Sequence, residues 1–275
     1  MYLVALTRWG PAGLPPPHPS PELLAAEVSA LTPLLGMGVY ELRLALSGPL
    51  PLVLLETEDA ERARTLLASL RGRGHGAVAC DAASVTSSAD MLRPKSFAFE
   101  PEAISFETPG AAPMRVSPAE VLALVVATHA REEDSDREVR EKKLSLGRAA
   151  MTGGLVRSKT RTVTERGSTR ESERVLYLLK RSGSGHVLLR ETRLHYAGLG
   201  PRMGHSAIES FSTLIAALRE RAPQAFYDDR LLRQRASGSL QVSRTSTSRT
   251  VTTSNEREVD VAVHLLAVAF LQAQI

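Results

Sequence analysis

The chain opens on a continuous apolar run, Tyr2-Leu3-Val4-Ala5-Leu6, which predicts a buried strand over residues 2–9. Pro11, Pro15, Pro16, Pro17, Pro19 and Pro21 follow. Their rings fix φ and remove backbone donors, so neither helix nor central strand fits before Ser20. From there Leu23, Leu24, Val28 and Leu31 make one helical stripe, with Pro21 at the first position. Gly36-Met37-Gly38 introduces a second helix over residues 39–46, and Pro49 and Pro51 close it. Residues 52–57 read as a buried strand. Asp59 then caps a helix striped by Ala60, Ala63, Leu66, Leu67 and Leu70, and residues 77–80 return as a strand. These elements make an α/β unit of about 80 residues.

After a small, polar linker at 83–94 the pattern turns to strands. Phe97, Phe99, Ile104 and Phe106 fit a hairpin, and Pro118 opens a helix or strand through residues 121–126. The charged run 131–143 reads as solvated, and residues 160–165 alternate as an exposed strand. Residues 175–179 and 187–189 predict core strands joined across 182–185. Ser206 caps a helix to residue 221 whose inner face is Ile208, Phe211, Leu214, Ile215 and Leu218. Residues 235–258, rich in Ser, Thr and Arg, have little to bury and read as a mobile loop. Residues 261–271 are about half of the roughly 20 needed to span a membrane and read as a buried helix. The expected fold class is α+β. A small α/β sandwich domain at 1–90 precedes a strand-rich domain at 91–275, a roll closed by a long helix.

Composition narrows the function classes. Aromatic residues are only 4% of the 275, so the cores must be aliphatic and stacking platforms for bases are scarce. The single cysteine, Cys80, excludes an internal disulfide and thiolate zinc clusters. Lysine occurs only at Lys95, Lys142, Lys143, Lys159 and Lys180, and this Arg, Ala, Leu and Gly bias fits a GC-rich bacterial gene. The first residues lack a basic leader, and a cytoplasmic location is expected. Charge changes the picture most. Residues 1–140 carry 12 Lys and Arg against 18 Asp and Glu, a net of −6, whereas residues 141–275 carry 22 against 12, a net of +10. The second half is therefore expected to meet something anionic, or the halves to attract each other.

No motif assembles a reaction centre. Gly198-Leu199-Gly200-Pro201-Arg202-Met203-Gly204 lies where a phosphate-cradling loop belongs, but its spacing is neither a dinucleotide fingerprint nor a P-loop. His129 and Glu133 fit one helix face as metal ligands, yet His18, His75, His186, His195, His205 and His264 are scattered singly, short of the convergent set a metal needs. Ser184 in Gly183-Ser184-Gly185-His186 joins two strands, unlike a nucleophile elbow. Cys80 reads as a small buried hydrophobe. An enzyme would require His195, His205 and the Asp228-Asp229 pair to converge in space. The best candidates are Arg157, Lys159 and Arg161, which share one face if 157–165 is a strand and would bind an anion or an acidic partner surface; Arg166, Arg244 and Arg249 extend the set. The alternative for that row is a solvated, charge-protected edge strand. No cofactor and no metal are expected.

The run Leu35-Gly36-Met37-Gly38-Val39-Tyr40-Glu41-Leu42-Arg43, then Gly48-Pro49-Leu50-Pro51, Ala60-Glu61-Arg62-Ala63, Leu70, Gly74 and Ala77-Val78 resembles the C-terminal domain of bacterial ribosomal protein L7/L12, whose fold the ClpS adaptor shares. The resemblance covers about residues 27–82 and implies the fold. Glu41 and Arg43 stand where that family's helix carries the lysines that meet translation factors, so the ribosomal role does not follow. Several strands closed by one helix resemble a pleckstrin-homology-like roll. Tyr196-Ala197-Gly198-Leu199-Gly200 and Tyr227-Asp228-Asp229-Arg230-Leu231-Leu232 are similar to myxobacterial proteins without an assigned activity. The expected function is a non-enzymatic interaction or adaptor protein with a protein partner. The alternatives are nucleic-acid or anionic-surface binding by the basic half, and an enzyme of unrecognised type.

Overall fold

The structure is a computed structural model describing residues 1–10, 19–110, 112–144, 158–232, 239–244 and 248–275. The opening apolar run becomes β1 (Tyr2–Arg8), the middle strand of an antiparallel sheet. β2 (Leu52–Thr57) and β3 (Gly76–Asp81) flank it, placing Leu3 between Glu56 and Cys80. α1 (Pro21–Leu35) begins where the Ser20 hydroxyl accepts the Leu23 amide and ends at Gly36, whose φ of 70° a side chain would resist. α2 (Val39–Leu46) follows. α3 (Ala60–Gly72) is capped by Asp59, which accepts the amides of Glu61 and Arg62. Strand alternation sends Val4 and Leu6 into a core with Leu31, Leu42, Leu46, Leu66 and Leu70 of these helices.

β4 (Ser96–Phe99), β5 (Ile104–Glu107) and β6 (Met114–Val116) form a small meander with Phe97 opposite Phe106. The larger sheet contains β7 (Val121–Leu144), β8 (Ser158–Lys180), β9 (Val187–Arg190), β10 (Phe226–Leu231), β11 (Ser239–Arg244) and β12 (Ser248–Ser254). Its order is β11-β12-β7-β8-β9, with β10 parallel to the start of β7. No described sheet closes into a barrel. The molecule is mixed α+β.

Two helices cover the two faces of this sheet. α4 (Ala207–Arg221) packs Phe211, Leu214, Ile215 and Leu218 against Leu124, Val126, Leu176, Leu178, Val187 and Leu189. α5 (Glu256–Leu271) packs Val259, Val263 and Leu266 against the alternate residues Val125, Tyr177 and Leu188. The opposite side of α5 carries Leu265 and Ala269, which meet Ala5 and Val78 of the first sheet. One helix thus lies between two sheets, which is why residues 261–271 are apolar on two sides, with His264 the one polar residue among them. No single described helix is long and apolar enough to cross a membrane.

The compact units are Met1–Thr128 with Glu173–Gln234 and Glu256–Ile275, and His129–Ser172 with Arg235–Asn255. Residue 90 lies inside the first of these units, whose α5 belongs to the cores of both sheets. Three expectations meet a different local structure. Of the stretch expected to be a mobile loop, 235–258, residues 235–238 and 245–247 lie outside the described residues and the rest forms β11, β12 and the start of α5; the Thr, Ser and Val residues of β12 suit a ladder, and β12 pairs with β7. Ile208, assigned to the inner face of α4, is 63% exposed, since it lies in the first turn before the packed stripe begins. The polar linker 83–94 is pinned: Ser88 and Met91 are buried, and Leu92 exchanges backbone hydrogen bonds with His186 and Leu188.

Candidate functional site

The basic row comes first. Lys159 and Arg161 lie on β8 two positions apart, and Arg166 is on the same strand. Arg157 lies outside the described residues. Arg244 on β11 is the cross-strand partner of Arg249 on β12, and Arg249 in turn pairs with Asp136 on β7. The neighbouring rows set Val242, Val251 and Asp134, then Leu240, Thr253 and Glu132, side by side. In the sequence of the second unit, 14 Lys and Arg meet 8 Asp and Glu, and six of those acids (Glu132, Glu133, Asp134, Asp136, Glu138 and Glu141) are on β7. The ribbon is mixed in charge rather than uniformly basic.

The other candidates are not brought together. His129 and Glu133 sit on a strand, where four residues span about 13 Å, too far for one metal. Glu133 pairs with Arg131 at 3.3 Å, and no metal-holding group occurs among the described residues. At the glycine-rich loop, the anion position ahead of α4 is occupied by the chain itself. Glu209 accepts the His205 amide at 2.9 Å, and the Ser206 hydroxyl accepts the Glu209 amide. Gly198 is there for packing, since a Cβ would lie 2.1 Å from the Phe97 carbonyl oxygen. Ser184 is in the β8–β9 turn. Burial, and next the charge of Asp81, push the Cys80 thiol up and disfavour a nucleophilic thiolate. Asp228 is buried and held by Arg230 at 2.8 Å; burial pushes its carboxyl up against that pairing. His195 and His205 are both exposed on the loops preceding α4, and neither bonds to Asp228 or Asp229.

A site that the linear pattern does not single out lies beside α5. A cavity of about 280 Å³ is bounded by α5, the end of β8, the β8–β9 turn and the pinned linker. Its polar side chains are Ser84, Thr86, Lys180, Arg181, His186, Asp260 and His264. Asp260 is only 5% exposed and both its oxygens are taken, Oδ1 by the Tyr177 hydroxyl at 2.7 Å and Oδ2 by the Ser88 amide at 2.9 Å. Burial pushes the Asp260 carboxyl up, and those two donors oppose it. Burial, then the Asp260 charge, push the Tyr177 phenol well up, keeping it a donor.

The two imidazoles have assignable tautomers. His186 Nδ1 accepts the Lys180 amide at 3.0 Å, which puts the ring proton of the neutral form on Nε2. The Ser84 hydroxyl gives its one hydrogen to the Asp81 carbonyl at 2.6 Å. At its 3.2 Å contact with Ser84 Oγ, His264 Nε2 is therefore the donor. A serine activated for attack needs the reverse polarity, so this Ser–His pair is not a nucleophile and base. Burial pushes both imidazoles below 6.5; Lys180 adds to the effect on His186, and His186 to that on His264. Residues 84, 180, 186 and 264 carry no common spacing, so only the packing of α5 against β8 could have revealed them.

No protein-family model matches this chain, and neither do curated proteins or solved structures.

Proposed function

We propose that this chain is a non-enzymatic interaction or adaptor protein that takes up an extended segment of a protein partner along β11. The observation carrying this reading is the place of β11 at the end of the sheet order, with the sequence Ser-Leu-Gln-Val-Ser-Arg. It has no proline, no acid and a single charge, so it lacks most of the devices that keep an edge from pairing. An added strand would gain main-chain hydrogen bonds, while alternate side chains would set specificity. The adjacent Arg244 and Arg249 favour a partner segment with an acidic residue at that end, and Lys159 and Arg161 on β8 are further anion- or partner-binding candidates. The resemblance of residues 27–82 to the L7/L12 and ClpS fold agrees with a binding role without supplying the partner.

The acids on β7 argue against the nucleic-acid reading. Polyphosphate binding draws on counterion release by unopposed cations, and the six acids that β7 brings to the sequence of the same sheet weaken that. The test is capture of partners by the full chain and by a Val242→Pro variant, alongside a salt titration with fluorescent DNA and RNA. A partner retained by the full chain and held at least tenfold more weakly by the variant supports the reading. Equal retention by both sinks it, and tight nucleic-acid binding that falls steeply with salt puts the alternative in its place.

A further inference from the structure

We propose that the cavity beside α5 binds a medium-chain aliphatic carboxylate, its head held by Lys180, Arg181 and His186 and its tail lying on the apolar wall. The polar side of the cavity offers donors. His186 presents Nε2–H, because its other nitrogen is committed to the Lys180 amide. Lys180 contributes an ammonium and Arg181 a guanidinium, whose Nε bonds the Ala119 carbonyl at 3.2 Å. The one carboxylate in the wall, Asp260, has both oxygens occupied by Tyr177 and Ser88. Glu120, 3.6 Å from the Lys180 ammonium, offsets part of one charge and leaves an excess of donors. A ligand that satisfies this set is an acceptor, and an anion does so best.

The rest of the wall fixes the ligand's other end. Met91, Leu122, Leu179, Val263 and Ala267 are each 7% exposed or less, and exposed Leu271 stands at the same cavity. No Phe, Tyr or Trp lines it and its rings are the two small imidazoles, so it lacks the broad platform on which a nucleobase stacks. At about 280 Å³ the space is at the lower limit of small-ligand sites, about 300 Å³, which suits a short aliphatic chain. Every lining residue belongs to the first compact unit, so the site does not involve β11 or β12.

The experiment is calorimetric titration of the full chain with octanoate, against octanol (the same tail, uncharged), acetate (the same head, no tail) and a short peptide ending in a leucine carboxylate. Saturable octanoate binding, with the other three at least tenfold weaker, is expected. A Lys180→Met, Arg181→Gln variant keeps the aliphatic stems and is expected to lose octanoate at least tenfold while melting as the parent does. Should that variant unfold, shifts of the His186 and His264 ring protons on adding octanoate to the parent decide instead. No saturable binding, octanol binding as well as octanoate, a peptide preferred over octanoate, or unmoved histidine signals would each overturn the proposal.

Discussion

At the scale of single residues, polar groups in the interior are placed by partners far away in sequence. Glu27 is 3% exposed on α1 and receives two hydrogen bonds from Arg73, both 2.7 Å. His75 Nε2 lies 3.2 Å from the same carboxylate, off hydrogen-bond alignment, while its Nδ1 accepts the Gly10 amide. Burial works upward on the Glu27 carboxyl, but Arg73 and His75 outweigh it and hold it below its ordinary value. Gly198 illustrates the opposite constraint, the absence of a side chain. With the Phe97 carbonyl 2.1 Å from where a Cβ would stand, Gly198→Ala is expected to cost about 1–3 kcal/mol, checked by chemical denaturation. An unchanged midpoint would mean that the loop yields freely. The glycine was visible in the sequence, but it read there as one member of a phosphate-loop pattern. Its packing role depends on β4, about a hundred residues earlier.

At the scale of elements, local signals and tertiary ones separate cleanly. Ser20 before Pro21, Asp59 before Ala60 and Ser206 before Ala207 mark helix starts through bonds made within one turn, so they were legible. β11 and β12 were not, because Ser- and Thr-rich segments become strands only when a neighbour such as β7 supplies the ladder. α5 was legible as a buried helix, but which surfaces bury it was not. Since it packs on both sheets, Leu266→Ala, on the face toward Tyr177 and Leu188, is expected to cost about 2–5 kcal/mol. The same variant is expected to lower the unfolding midpoint reported by the fluorescence of Trp9, the single tryptophan, which sits in the other core. A normal Trp9 midpoint alongside loss of amide protection in β8 would mean that the two cores melt independently.

At the scale of the whole molecule, charge and burial set the response to pH. His186 and His264 are held below 6.5 in the folded chain, first by burial. As pH falls through the mid-6 range, the unfolded chain takes up protons that the folded one refuses, so stability decreases. Denaturation midpoints are expected to fall between pH 7.5 and 5.5, with a smaller drop in His264→Gln. A flat profile for the parent would contradict the burial of the two rings. Glu27, held low, begins to lose its stabilising effect only as pH falls further into the carboxylate range, whereas Asp228 and Asp260, pushed up, act there in the opposite sense.

The order of apolar and polar positions by itself determined the helices at 21–35, 39–46, 60–72 and 207–221, the short core strands and the α+β class, because each rests on periodicity, caps and breakers within a few residues. Only the tertiary structure decided that α5 joins two sheets, that β11 ends the order of the described strands, and that Lys180, Arg181, His186 and His264 face one cavity. Those facts depend on contacts between segments far apart in the chain, and no local pattern encodes which distant surface a buried face will meet.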